Sequence, residues 1–223
     1  MLKVTNLYKT YSIKNQLVLA NDNISFTAKN GELVWISGNS GSGKSTFLNV
    51  ISGIDKMDSG EIYWDDYNLS VQSHSKNSNF RIKNCGLIFQ FFQLMKTQNA
   101  FDNAILPLKI AREDTKEKKD YVYSLFESFE IASLVSKYPH ELSGGEKQRV
   151  AIIRALSNHP KYFIADEITA SLDKDNSKKV YSFMRSYIKE NDGVGIFVSH
   201  DTIIDGYVDS SYEMNAGRLY QCI

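Results

Sequence analysis

Hydrophobic and polar residues alternate from Leu2 to about Tyr11 and again from Leu17 to Ala28, with a polar stretch between them. Alternation with period two predicts a pair of β-strands joined by a polar turn, each strand with one buried face. Leu33 to Ser37 (LVWIS) differs, being a short unbroken apolar run of the kind found in strands buried on both faces. It leads directly into GNSGSGKST and then into FLNVISGI, whose apolar positions recur at helical spacing. Gly60 to Trp64 predicts an edge strand, residues 65–80 a polar loop with a short helix, and Gly86 to Phe89 a further strand.

The texture changes from Asn99 to about Lys137, where LPLKIAREDTKEKKDYVYSLFESFEIASLV carries helical spacing with charged faces. This predicts a helical insertion of about 40 residues, with the helical part of the chain taken as about 91–157. Alternation then resumes, with a helix over 144–157, a strand over 162–165, a helix over 174–190 and a strand over 194–198. Strands alternating with helices predict an α/β fold with a mostly parallel sheet covered by helices. The chain has three prolines and no Gly/Ser-rich linker, and no internal repeat, so residues 1–223 are expected to form a single domain.

Composition narrows the setting. Apolar residues make up 42% and charged residues 23% of 223 residues, an ordinary globular balance large enough to bury a core without staples. Lys plus Arg and Asp plus Glu are equal at 26 each, so no basic excess points to nucleic acid. Cys85 and Cys222 have no CxxC spacing, which suggests neither a disulfide framework nor a zinc site and fits a reducing compartment. The N-terminus lacks the apolar run of a signal peptide, and no stretch approaches the roughly 18 apolar residues that cross a bilayer. Work at a membrane would be done from the side.

The segment Gly38-Asn39-Ser40-Gly41-Ser42-Gly43-Lys44-Ser45 matches G-x-x-x-x-G-K-[ST], placed between a predicted strand and a predicted helix. Glycines let backbone N–H groups turn inward around phosphate oxygens, and the helix N-terminus adds partial positive charge. Lys44 is expected to reach the β- and γ-phosphates and the Ser45 hydroxyl to ligate Mg²⁺, with Thr46 following in the first helical turn. Tyr162-Phe-Ile-Ala-Asp166-Glu167 is a hydrophobic run ending in two acids at the carboxyl end of a strand, where α/β proteins place ligands. Two adjacent acids also suit a solvated helix start. Paired with the phosphate loop, they read as a metal partner (Asp166) and a carboxylate that polarises an attacking water (Glu167).

Ser143 and Glu146 in Leu142-Ser143-Gly144-Gly145-Glu146-Lys147-Gln148-Arg149 have the spacing of an N-terminal capping box, and two glycines leave helical N–H groups uncovered as an anion site. As structure alone this is a capped amphipathic helix. LSGGEKQRVAIIRAL nevertheless resembles the signature motif of ABC ATPases, and further motifs follow the family's order along essentially the whole chain. Tyr11 matches the aromatic that stacks on adenine, Gln90 in LIFQ the Q-loop glutamine, Ala170-Ser-Leu-Asp173 the D-loop, and His200 in FVSHD the switch histidine. Taken singly these are unremarkable: Tyr11 also suits a strand core and Asp173 a helix cap.

The resemblance implies a P-loop NTPase core of the ABC type, with an N-terminal antiparallel β subdomain and the helical insertion. It implies ATP and Mg²⁺ as ligands, with the metal held by Ser45, Gln90 and Asp166. It also implies a head-to-tail homodimer in which Ser143, Gly144, Gly145 and Glu146 of one subunit complete the site built on Lys44 of the other. Glu167 and His200 would be the catalytic pair, assisted by Lys44 and Gln90. The partner implied is a membrane permease on a separate chain, at the cytoplasmic face of the membrane, received in an apolar groove around Phe91 to Met95, apolar residues that equally suit packing between the helical insertion and the core. FQFFQLMKTQNAFDNAILPLKI and ADEITASLD resemble most the lipoprotein-releasing, macrolide-exporting, cell-division and peptide-resistance ATPases of bacteria. Export or extrusion is therefore the expected work, with ATP-driven control of an extracytoplasmic hydrolase or sensor as the alternative. Ile168 stands where that branch has proline, Gln98-Asn99 where Leu-Thr is common, and Ser210-Ser211 where Arg-Ile is usual.

Overall fold

The computed structural model describes residues 1–14, 16–89 and 92–222. Its first sheet is antiparallel, in the order β2-β1-β4-β5, with β1 Leu2–Ile13, β2 Gln16–Ala28, β4 Ser59–Trp64 and β5 Tyr67–Asn68. Leu2, Val4 and Leu7 of β1 and Ile24, Phe26 and Ala28 of β2 are buried. The spacing of three between Val4 and Leu7 reflects a register shift, where Asn6 (φ 47°) donates from its side chain to the side-chain oxygen of Asn23 (φ 52°) at 2.9 Å. Asparagine tolerates this left-handed backbone, so the strand keeps its apolar face after the bulge. β4 is flanked by β1 and by the two-residue β5, so it is not the edge that alternation alone predicts.

The second sheet has the order β10-β9-β3-β8-β7-β6, formed by β3 Glu32–Ser37, β6 Cys85–Ile88, β7 Tyr162–Asp166, β8 Val194–Val198, β9 Ser210–Asn215 and β10 Arg218–Gln221. Five strands run parallel and β10 closes antiparallel on β9. The register puts Ile36, Val198 and Asp166 in one row across β3, β8 and β7. The chain leaves all three strands at one edge of the sheet. The last hairpin has no signal in apolar alternation; its two-residue turn is Ala216 (φ 47°) and Gly217 (φ 79°), and the alanine hides a turn that Asn-Gly would have announced.

Seven helices cover the sheets among the described residues: α1 Lys44–Ile51, α2 His74–Asn84, α3 Ala100–Ala104, α4 Leu106–Ala111, α5 Lys116–Ser128, α6 Gly144–Leu156 and α7 Lys174–Glu190. α2 is the short helix expected within 65–80, but it takes up the second half of that segment and runs beyond it to Asn84. Its inward side has no ordinary apolar stripe. Asn77 donates to the Leu69 carbonyl at 3.1 Å and accepts from the Tyr67 hydroxyl at 3.0 Å, while Phe80 stacks on Tyr67 with centroids 4.1 Å apart. Polar contacts inside the protein hold this helix, and apolar periodicity cannot report them. α3–α6 share a hydrophobic core with β6 and α7, whereas α1 packs with the β1–β4 faces and the other side of the parallel sheet. Burial pushes the Cys85 thiol up to about 12, and Cys85 and Cys222 are both unpaired.

Candidate nucleotide site at the carboxyl edge of the parallel sheet

The loop after β3 folds back on itself before α1 begins. Gly38 (φ 138°) lies so near the Met214 carbonyl oxygen that a β-carbon would sit 2.2 Å from it, and one on Gly43 (φ 107°) would sit 2.2 Å from the Ala20 carbonyl oxygen. No side chain caps Gly43 at the start of α1, so the first helical N–H groups remain available to an anion. The Lys44 ammonium turns back and donates to the carbonyls of Gly38 at 2.7 Å and Asn39 at 2.8 Å. Burial lowers its pKa while the charges of Asp166 and Glu167 oppose that shift.

Across from Lys44, the Ser45 hydroxyl donates to Asp166 Oδ2 at 2.7 Å. Asp166 is buried at the end of β7, and the next residue, Glu167, adopts φ 59° with its N–H bonded to the Val198 carbonyl at 2.9 Å. That left-handed step turns the chain out of the strand and swings the Glu167 side chain into the cleft. Ile168 is wholly buried, so packing holds the turn where the related branch uses a proline ring. Burial raises the Glu167 carboxyl above its ordinary range, offset in part by His200. Glu167 Oε1 accepts from the His200 N–H at 3.2 Å and lies 3.8 Å from His200 Nε2.

A cleft of about 330 Å³ brings together Tyr11, Lys44, Ser45, Asp166, Glu167 and His200, with Ser40, Gly41, Gly43 and Thr46 along its loop side. Gly38, Asn39 and Ser42 belong to the same loop without lining the cleft. Tyr11 is not a core residue: its hydroxyl donates to Asp55 at 2.8 Å, and the Lys9 ammonium lies 4.8 Å from its ring centroid. Val18 and Leu19 of β2 also line the cleft, and alternation could not tell an apolar wall for a ligand from an exposed strand residue.

The remaining candidates lie elsewhere. Ser143, Gly144, Gly145 and Glu146 open α6 as the expected capping box, in which Glu146 Oε2 accepts from the Ser143 N–H at 2.7 Å and from its hydroxyl at 2.8 Å. None of the four lines the cleft. A β-carbon on Gly144 would lie 3.5 Å from Ser171 Cβ, and one on Gly145 would lie 3.2 Å from the Ser171 carbonyl oxygen, so this turn packs against the loop ending at Asp173. Asp173 caps α7, accepting from the N–H groups of Asp175 at 3.1 Å and Asn176 at 2.9 Å. Gln90 and Phe91, expected respectively at the metal and in a partner groove, lie outside the described residues.

The arrangement is a loop for phosphate, a hydroxyl–carboxylate pair and a second carboxylate beside a histidine. The sequence model of the ABC transporter family matches residues 21–170. The chain belongs to the ABC transporter family, as one of its ATP-hydrolysing cassettes. This cassette is 37% identical over 216 residues to the lipoprotein-releasing system ATP-binding protein LolD of Treponema denticola, covering 97% of this chain and 96% of that one. It is also 34% identical over 218 residues to the putative hemin import ATP-binding protein HrtA of Staphylococcus epidermidis, covering 98% of each. Among solved structures it resembles the dimeric post-hydrolysis state of the ATP-binding cassette MJ0796 bound to ADP and Pi, with a TM-score of 0.92, 31% identity and coverage of 98% of this chain and 96% of that one.

Proposed function

We propose that the cassette, as one undivided ATP-binding domain, powers export or extrusion through a permease on a separate chain, in the manner of the lipoprotein-releasing relatives. The observation that carries the reading is the 2.7 Å contact between Ser45 and Asp166, with Lys44, Glu167 and His200 in the same cleft. In this reading the loop from Gly38 to Thr46 wraps the phosphates, Tyr11 stands against the adenine, and Lys44 exchanges its carbonyl partners for β- and γ-phosphate oxygens.

Ser45 and Asp166 suit Mg²⁺. They offer a hydroxyl and a carboxylate oxygen, hard donors of the right kind. Among the described residues no cluster of three or more His, Cys, Asp or Glu forms an all-protein cage. Magnesium typically takes one or two protein ligands and fills its sphere with water and phosphate oxygens. When bound, the ion supplies charge neutralisation of the phosphates. Gln90 joins this set on its motif alone. Glu167 accepts the proton of the attacking water, and burial, by raising its pKa, makes it a better base than an ordinary carboxylate. The His200 imidazole donates to the γ-phosphate as charge develops there.

The signature turn at Ser143–Glu146 has no place in its own chain's cleft, and it acts on the ATP of a second copy in a head-to-tail dimer. No helix among the described residues is long and apolar enough to cross a membrane. By likeness to the transporter relatives, the permease is met from the side, at the cytoplasmic membrane face. An apolar recess of about 390 Å³, bounded by Leu87, Phe89, Leu106, Pro107, Ile110 and Arg154, suits a short helix of that permease. Arg154 holds its rim by donating to the carbonyls of Phe92 at 2.8 Å and Gln93 at 2.7 Å.

Co-purification tests the reading. Tagged Glu167→Gln protein is drawn from native membranes in mild detergent with ATP, and the proteins that follow are identified. A permease with a large outer domain supports export. Recovery of an outer-face hydrolase or sensor instead would turn the reading to regulation, and a wholly soluble retinue would defeat it.

A further inference from the structure

Behind the cleft, four groups from three segments close a ring of hydrogen bonds. Thr169, two residues after Glu167, has its hydroxyl 2.7 Å from that of Tyr181 on α7. The Tyr181 hydroxyl is 3.4 Å from Ser199 Oγ, which accepts from the Asp201 N–H at 2.9 Å. The Thr169 hydroxyl in turn donates to Asp201 Oδ2 at 3.4 Å. Tyr181, Thr169 and Ser199 are all buried. An N–H can only donate and a carboxylate can only accept, so the ring has one consistent direction: Asp201 N–H to Ser199, Ser199 to Tyr181, Tyr181 to Thr169, Thr169 to the Asp201 carboxylate. Every hydroxyl then gives one hydrogen bond and accepts one.

The ring borders the peptide between Ser199 and His200. Its carbonyl accepts from Trp35 Nε1 of β3 at 2.9 Å, and its N–H donates to Glu167 Oε1 at 3.2 Å. If Glu167 turns toward a water at the γ-phosphate, this peptide loses its hold on that side. The hydroxyl ring through Tyr181, the Glu167 N–H bond to the Val198 carbonyl and the clamp from Trp35 are then left to fix His200 relative to the loop that carries Glu167.

We propose that Tyr181 is a positioning residue for hydrolysis: its hydroxyl locks the loop after Glu167 to the loop that carries His200, so that base and histidine keep their spacing through the reaction. The proposal rests on the assignment of Glu167 and His200 made above. Its test is steady-state ATP hydrolysis by the full chain carrying Tyr181→Phe, which deletes one oxygen and keeps the ring. A fall in kcat of roughly threefold to tenfold with KM for ATP within about twofold is expected, because the interaction matters after binding. Thr169→Val removes the partner of the Tyr181 hydroxyl together with the direct Thr169–Asp201 bond, Thr169→Ser restores the hydroxyl and the rate, and Tyr181→Phe combined with Thr169→Val loses no more than Thr169→Val alone.

Unchanged kcat in a folded Tyr181→Phe protein overturns the proposal, as does a loss confined to melting temperature. Should Tyr181→Phe fail to fold, the Thr169→Val and Thr169→Ser pair decides alone. Glu167→Gln run in parallel separates the two failures. Normal turnover there sinks the underlying assignment, whereas a dead Glu167→Gln beside a normal Tyr181→Phe sinks only the tie.

Discussion

At one edge of the parallel sheet, adjacent strands deliver Lys44, Asp166, Glu167 and His200 into a single cleft. At the start of α6, Ser143 and Gly144 face outward with their polar groups turned upon themselves, and nothing of that cleft beside them. The first region is assembled by strand register, so its geometry is a property of one folded chain. The second is a helix start whose capping box satisfies it locally and leaves it stable without a ligand. The chain thus gathers a glycine-rich loop and carboxylates in one cleft and holds, apart from them, a helix start satisfied by its own capping box, the division that the proposed head-to-tail pair would use.

Breaking the first region has the largest expected effect. Glu167→Gln removes the proposed proton acceptor without changing shape, and a positioned base contributes about 10²–10⁴ to a rate. Hydrolysis by the purified variant should drop at least 100-fold in kcat, on the order expected for losing such a group, while ATP binding measured by equilibrium dialysis persists. The same variant should elute as a dimer on size exclusion when ATP is present and as a monomer without it. Turnover within a few-fold of the unaltered protein would remove Glu167 from the mechanism.

Complementation between two disabled variants tests whether the two regions meet. Lys44→Ala disables the cleft and Ser143→Arg disables the signature turn, so each should be nearly inactive alone, the second with its own ATP binding intact. An equimolar mixture should regain activity, because a mixed dimer has one site pairing an intact Lys44 with an intact Ser143. No recovery, with mixed dimers demonstrated by cross-linking, would mean that the two regions do not meet across a dimer.

How much of this could be read from the chain follows the same division. The phosphate loop, the acids ending β7 and the capping box are local patterns, each forced by what a backbone turn or a helix end requires, and the structure forms them over the residues expected. What escaped depends on contacts distant in sequence. Alternation does not reveal that Trp35 of β3 would hold the Ser199 carbonyl, that Asp55 would take the Tyr11 hydroxyl, or that α2 would be pinned by a buried Asn77. The hairpin of β9 and β10 was invisible for a more local reason: Ala216 occupies a left-handed turn position where glycine or asparagine is the recognisable residue.

A smaller effect separates the cleft from the rest of the molecule by pH. Burial raises the folded pKa of Glu167 above its unfolded value, so between those two values the native state holds the extra proton and stability falls as pH rises. Neutral solution therefore carries a stability cost that Glu167→Gln removes. The variant should melt higher than the unaltered protein at neutral pH, with the difference closing below about pH 4, where the carboxyl is protonated in both states. The acid limb of kcat/KM should correspondingly lie above the ordinary glutamate range. An acid limb at or below that range would show that the cleft does not desolvate Glu167.

The smallest expected change lies in the second region, and its sign is opposite. Glu146 is held as a carboxylate by the Ser143 N–H and hydroxyl, which lower its pKa. Its contribution is fully present above the unfolded value and disappears as pH falls through the depressed folded one. Glu146→Ala should lower the melting temperature slightly at neutral pH, and progressively less in acid. Thermal melts across pH would show a gap that narrows on acidification, as the Glu167→Gln gap does, but with the variant below the unaltered protein and not above it. That opposition follows from the architecture. The cleft destabilises a carboxylate by burying it, whereas the turn at the start of α6 stabilises one by bonding it, and a destabilised Glu167→Gln or a stabilised Glu146→Ala would contradict that contrast.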